Sequence, residues 1–189
     1  MAGMVRKIVR YPDPVLRAKC RNVGEITPEI RTLAADMLET MREANGVGLA
    51  APQVAVDLQL AVIDVSHNPD CLTFMKVNGE KVEMVKHMPI VLINPQLELG
   101  SDKEIGEEGC LSFPRLRGDI RRSSKIKVSY TDLDGKTVTV ESDGLLARAF
   151  QHEIDHLNGI LFIDRLNAVA KVSIKRKLAR LMEEWEEDD

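Results

Sequence analysis

Residues 143–157 read Asp143-Gly144-Leu145-Leu146-Ala147-Arg148-Ala149-Phe150-Gln151-His152-Glu153-Ile154-Asp155-His156-Leu157, and the fold turns on this stretch. Its density of apolar residues suits a buried helix, and Asn158-Gly159 supplies a stop. Residues four apart share a helical face, so His152 and His156 present two imidazoles to one point. Glu153 stands beside the first, placed to handle the proton of a water activated by a metal ion. The competing reading is a chance helix with two surface histidines. Two facts weigh against it. Half of the chain's four histidines fall within these five residues. A helix buried along Leu145, Leu146, Ala149, Phe150 and Leu157 would also need partners for bare imidazoles.

A catalytic metal ion takes a third protein ligand and keeps one position open. His156-Leu157-Asn158-Gly159 begins like the extended metzincin pattern, but that pattern needs histidine at position 162, where Phe162 stands. A glutamate from a later helix, as in thermolysin-like enzymes, would have to be Glu183, Glu184 or Glu186. Those lie in an acidic tail that opposes the helix dipole and should fray. The better source is Glu108-Gly109-Cys110-Leu111-Ser112, where a glycine beside a cysteine lets the backbone come close to something. Alone, Cys110 would read as a buried structural thiol. Cys20 and Cys71 have no such context and read as plain side chains.

Outward from the helix, the chain reads as one α+β domain over residues 1–189. Thr27 caps and Pro28 opens a helix to about Ala44, with Ile30, Leu33, Met37, Met41 and Ala44 on one face. Apolar runs at Leu58–Val65 and Ile90–Ile93 predict strands, the second followed by Asn94-Pro95. Asn78-Gly79 and Asp134-Gly135 predict two hairpins, the second joining Ile126–Leu133 to Lys136–Glu141. A last helix over about Asn167–Glu186 carries the stripe Ile174, Leu178, Leu181, Met182 and Trp185. The expected fold is mainly antiparallel sheets wrapped around a central metal-binding helix, with N- and C-terminal helices.

The net charge of -4 argues against a general nucleic-acid binder. Three cysteines without paired spacing imply a reducing compartment rather than a disulfide framework. With no signal peptide and no membrane span to be read, the expectation is a soluble, cytoplasmic protein.

Three segments, in order, carry a family likeness: Gly46-Val47-Gly48-Leu49-Ala50-Ala51-Pro52-Gln53, Glu108-Gly109-Cys110-Leu111-Ser112 and Gln151-His152-Glu153-Ile154-Asp155-His156-Leu157. Together they closely resemble the signature motifs of peptide deformylases, hydrolases that remove the N-formyl group from the starting methionine of new polypeptides and release formate. The resemblance implies that Cys110, His152 and His156 bind one divalent ion, with Fe2+ native in many members and Zn2+, Ni2+ or Co2+ able to substitute. It implies Glu153 as the proton acceptor, and the Gln53 amide and Leu111 backbone N–H as oxyanion donors. Val47 to Leu49 and Gly109 to Leu111 would flank the backbone of an N-formylmethionyl peptide, and glycines at Gly46 and Gly48 would let that backbone lie beside the enzyme's own strand. The methionine would enter a pocket near Val47, Leu145, Ala149 and His152.

Arg148 is a departure, since many bacterial members carry an apolar residue there; a charged rim is the expectation. The segment 66–89 is longer than in the shortest members and is expected to form a hairpin near one edge of the site. Glu108 and Asp155 are candidates to orient ligands or anchor loops, and Arg117 to meet the substrate beyond methionine. Two other functions remain open. A zinc endopeptidase on the same helix would not need Cys110. A metal-bearing domain that mainly binds the ribosome would use the basic middle of the last helix (Lys171, Lys175, Arg176, Lys177 and Arg180); a solvated face is its plainer reading.

Overall fold

A computed structural model describes residues 2–68 and 73–188, so Cys71 lies outside the described residues. Thr27 accepts a hydrogen bond from the Ile30 N–H, and Pro28 takes the first turn, where a missing N–H costs nothing. This starts α1 (Pro28–Glu43), whose Leu33, Met37 and Met41 are buried. Among the described residues nine strands follow: β1 (Gly48–Ala50), β2 (Leu60–Ile63), β3 (Met75–Val77), β4 (Glu80–Lys81), β5 (Ile90–Leu99), β6 (Lys103–Cys110), β7 (Phe113–Ser123), β8 (Lys125–Thr131) and β9 (Thr137–Asp143). Then come α2 (Gly144–Leu157) and α3 (Ala168–Glu187).

Seven strands form one sheet in the order β1-β2-β5-β8-β9-β3-β4, and β6 and β7 pair as a separate two-stranded sheet. All these pairings are antiparallel. The α+β expectation therefore holds, with helices near both ends of the chain. No helix among the described residues is long and apolar enough to cross a membrane.

The central helix is buried all round. Every residue from Leu146 to Leu157 is buried. Leu146, Phe150, Ile154 and Leu157 join Ala61, Ile63, Leu92, Val128 and Val140 of the large sheet in one apolar core. A second core lies between α1 and the β1–β2 end, with Met37, Met41, Leu49, Leu60 and Val62. A third joins β7 to α3 through Leu116, Ile120, Leu181 and Trp185, and includes Phe113 and Phe162. The stripe read for the last helix is thus its packed face.

Two readings need amendment. Asn94-Pro95 does not end its strand. Asn94 takes φ +52 and the register shifts between Ile93 and Gln96, so β5 bulges and continues to Leu99. Proline, which donates no hydrogen bond, is tolerated at such a bulge. The Asn94 amide fills the irregularity by bonding both the N–H and the carbonyl of Val23. The Asn78-Gly79 hairpin does form, with both turn residues at positive φ. It adds to β9 at the far end of the large sheet, and of the described residues in 66–89 only Asn68 lines the central cavity.

Candidate metal centre

The second and third motifs meet where the two-stranded sheet crosses α2. Cys110 ends β6, while His152 and His156 stand one turn apart on α2. Their ligand atoms all lie within 4.8 Å of one another, the only such group of three among the described residues. Cys110 Sγ is 3.3 Å from His156 Nε2, and the two imidazole centroids are 5.1 Å apart. The first motif supplies a third wall: Gly48 lies on β1, and Gln53 on the single helical turn Ala51–Val54 that follows.

Gln53 is almost fully buried, and its amide is fixed at both ends. Its Oε1 accepts from the Ala50 N–H at 3.0 Å, while Nε2 donates to Ser112 Oγ at 3.1 Å and approaches Cys110 Sγ at 3.5 Å. Glu153 packs its carboxylate directly against Gly48, and its Oε2 is buried with no hydrogen-bond partner. Burial pushes the Glu153 carboxyl up to about 7, the positive His152 opposing only in part.

Glu108 lies behind His152. Its Oε1 meets His152 Nδ1 at 2.9 Å and accepts from Arg122 Nη2 at 2.9 Å. Its Oε2 accepts from Arg122 Nε at 2.9 Å and from Arg148 Nη1 at 2.8 Å. Burial alone would raise the Glu108 carboxyl; His152 and Arg122 outweigh it and hold the group down to about 2. Asp155 pairs with Arg122 and Arg165 and not with an imidazole, so of the two acids expected to orient ligands or anchor loops only Glu108 touches a candidate ligand.

The site opens on a cavity of about 890 Å³. Gly46, Val47, Gly48, Gln53, Gly109, Cys110, Leu111, Leu145, Ala149, His152 and Glu153 all border it. His156 sits behind this wall, 1% exposed. Arg117 is on the rim, paired with Glu107 and largely exposed. Arg148 is not a charged rim: it is 8% exposed and its guanidinium turns inward to Glu108. Phe162, at the position that rules out a metzincin, stacks on His152 with centroids 6.2 Å apart.

One sulfur and two imidazole nitrogens converging in a buried pocket form a donor set that suits a single divalent ion. The electrostatics of the two rings fit as well. Burial works against charging His152, yet Cys110 and Glu108 beside it raise its pKa well above the ordinary imidazole value, so the cluster attracts positive charge. At His156 burial prevails and lowers the pKa well below that value, leaving a neutral ring. Such a centre, on a His-Glu-x-x-His helix that faces a peptide-sized cleft, defines a metal-dependent hydrolase.

Residues 5–172 match the polypeptide deformylase family. The peptide deformylase of Methylacidiphilum infernorum is 46% identical over 178 residues, covering 94% of this chain and 93% of its own. That of Acidobacterium capsulatum is 42% identical, covering 96% and 99%. The crystal structure of the Legionella pneumophila peptide deformylase superposes with a TM-score of 0.80 at 36% identity, over 96% of this chain and 98% of that one. The chain belongs to the polypeptide deformylase family, hydrolases of the formyl group on new polypeptides.

The sequence reading missed Ser112, Arg122 and Arg165. Burial alternates along β7 at Leu116, Ile120 and Arg122, so a period-two reading of 113–123 would have turned Arg122 inward. Ser112 closes the second motif, but nothing local gives it a role; its hydroxyl matters because Gln53 reaches it from 59 residues away.

Proposed function

We propose that this chain hydrolyses the formyl amide of N-formylmethionyl peptides at one divalent ion held by Cys110, His152 and His156, with Fe2+ as native ion and Zn2+, Ni2+ or Co2+ as substitutes. The observation that carries this reading is the convergence of the three ligand atoms beside a buried, partner-free Glu153 oxygen. A bound ion would supply Lewis acidity, polarising the formyl carbonyl and making water acidic near neutral pH.

The chain's own residues supply the rest. Glu153 Oε2 takes the proton of the attacking water and later returns it to the departing amine, a task suited to a carboxyl poised near pH 7. Gln53 Nε2 and the Leu111 N–H donate to the oxyanion; losing one such donor typically costs about 10²–10³ in turnover. Gly46, Gly48 and Gly109 let the peptide backbone lie beside the enzyme's own strands, adding main-chain hydrogen bonds. Val47, Leu145 and Ala149 give the methionine side chain an apolar seat.

Formate release from a formyl-Met peptide by anaerobically purified protein tests the reading, with Glu153→Ala and Cys110→Ser beside it and metal quantified. Glu153→Ala should hold the ion and be inactive, and Cys110→Ser should fail in metal binding or turnover. Full activity in Cys110→Ser would point instead to an endopeptidase-like centre without the sulfur. The reading also implies a cytoplasmic site of action. It allows a contact between ribosomal RNA and the exposed Lys175 and Arg176 on α3. Unchanged ribosome binding after charge reversal at both would refute that contact.

A further inference from the structure

Cys110 and the two histidines belong to different parts of the fold. Cys110 rides on the separate β6–β7 sheet, and the histidines ride on α2. The distance between the sulfur and the imidazoles therefore depends on what ties that sheet to that helix. Arg148 reaches from α2 to both strands. Nη1 donates to Ile120 O of β7 at 2.9 Å and to Glu108 Oε2 of β6 at 2.8 Å, and Nη2 lies 3.4 Å from Glu104 O of β6.

The passage is made possible by Gly106. A Cβ there would stand 3.0 Å from both Cζ and Nη2 of Arg148, and 3.1 Å from Nε. The guanidinium thus lies flat under a stretch of β6 that has no side chain to obstruct it. It also completes Glu108: with Arg148 in place each carboxylate oxygen has two partners, and the carboxylate cannot turn away from His152 Nδ1.

We propose that Arg148, threaded beneath Gly106, is a positioning residue that clamps the Cys110-bearing sheet to the histidine-bearing helix and so sets how tightly the site holds its metal ion. This rests on the metal reading above. Lysine could not replace it, since one ammonium cannot span a carboxylate and two carbonyls in the fixed plane of a guanidinium. Outer partners of metal ligands typically govern metal affinity by about 10–100-fold.

The test loads the full chain with Co2+ and follows loss of the ion to excess chelator through the visible thiolate-to-cobalt band. Arg148→Met keeps an unbranched apolar stem along the cavity and removes the fork; Co2+ should leave about 10–100-fold faster. Arg148→Lys should recover only part of the retention. Gly106→Ala leaves every charged group present, and the three atoms nearest its Cβ all belong to the guanidinium, so it decides the matter should Arg148→Met fail to fold. It too should release Co2+ faster, with KM for a formyl-Met peptide close to wild type. Wild-type release rates in Arg148→Met and Gly106→Ala would overturn the clamp while leaving the metal reading intact. Release that changes only in proportion to a lowered melting temperature would overturn it as well. Absence of the thiolate band in the wild-type chain would overturn both.

Discussion

Gly48→Ala displaces Glu153 without crowding Cys110, His152 or His156, and because Gly48 also borders the path of the peptide, kcat rather than KM reports on Glu153. Gly48 lies in β1, opposite Ile63 of β2, in a backbone conformation that alanine can adopt. Its added Cβ would sit 2.4 Å from Glu153 Oε1, 2.8 Å from Cδ and 2.9 Å from Cγ, where ordinary contact begins at 3.4 Å. The carboxylate must therefore withdraw by about 1 Å, and a misplacement of that size can cost about 10²-fold in rate. That corresponds to about 2.7 kcal/mol of transition-state stabilisation. The collision meets a side chain rather than backbone, and none of Cys110, His152 and His156 is among its nearest atoms. The variant should thus fold and carry a full complement of metal. Steady-state formate release from a formyl-Met peptide, with metal content measured on the same sample, should show kcat down about 10²-fold. A wild-type kcat would refute the argument that the position of Glu153 limits the reaction. A kcat loss accompanied by metal loss would show that the collision is passed on to the ligands instead.

Three further outcomes are expected. Removing the ion should lower stability, because a ligand at 100 times its dissociation constant contributes about 2.7 kcal/mol; calorimetry before and after verified chelation should show Tm falling by roughly 5–10 °C. Asp36 accepts from the Met4 N–H and pairs with Arg6, and the first of these, with help from the second, holds its carboxyl below the usual carboxylate range. A depressed folded-state pKa gives stability that is complete above the unfolded value, about 3.9, and is lost as pH falls through the folded one. Asp36→Asn should accordingly be less stable than wild type in urea at neutral pH, and the gap should close below pH about 4. Phe150 is fully buried between α2 and the large sheet, so Phe150→Ala should cost about 3–5 kcal/mol in urea unfolding.

Much of this architecture could be read from local pattern. The faces of α1 and α3 followed helical spacing, and the two hairpin turns followed Asn-Gly and Asp-Gly chemistry, because each is decided by residues within a few positions of one another. The His152-Glu153-x-x-His156 spacing was legible for the same reason. Long-range pairing was not. The β6–β7 sheet is built from residues such as Glu107, Glu108, Arg121 and Arg122, whose charges mask the alternation expected of a strand. Arg122 is only 4% exposed because two carboxylates, 14 and 33 residues away, neutralise it there. Arg148 misled for a related reason. A charged residue one turn before His152 reads as a rim until Gly106 and Glu108, on another strand, are known to receive it. Gln53 likewise gained a role only from the resemblance, since its partners Cys110 and Ser112 lie far along the chain.

Cohesion does not explain why so much charge is buried behind His152. Glu108, Arg122, Arg148 and Asp155 are each under a tenth exposed. Desolvation costs several kcal/mol for every such ion, and well-packed apolar side chains of the same volume often hold a fold together as well or better. What an apolar core cannot do is fix an imidazole's tautomer and angle. Glu108 Oε1 accepts at His152 Nδ1, which leaves Nε2 as the ring atom available for a ligand bond. His152 and Arg122 leave that carboxylate no proton of its own, and the two arginines leave it no second orientation. His156 has no such partner at Nδ1; it is held by its burial in α2 and by Cys110 against Nε2. The two histidines are therefore oriented by different means, one by a charged network anchored in the small sheet and one by packing. A substitution in that network should reach the metal site through His152 and Cys110, and leave the seat of His156 on its helix unchanged.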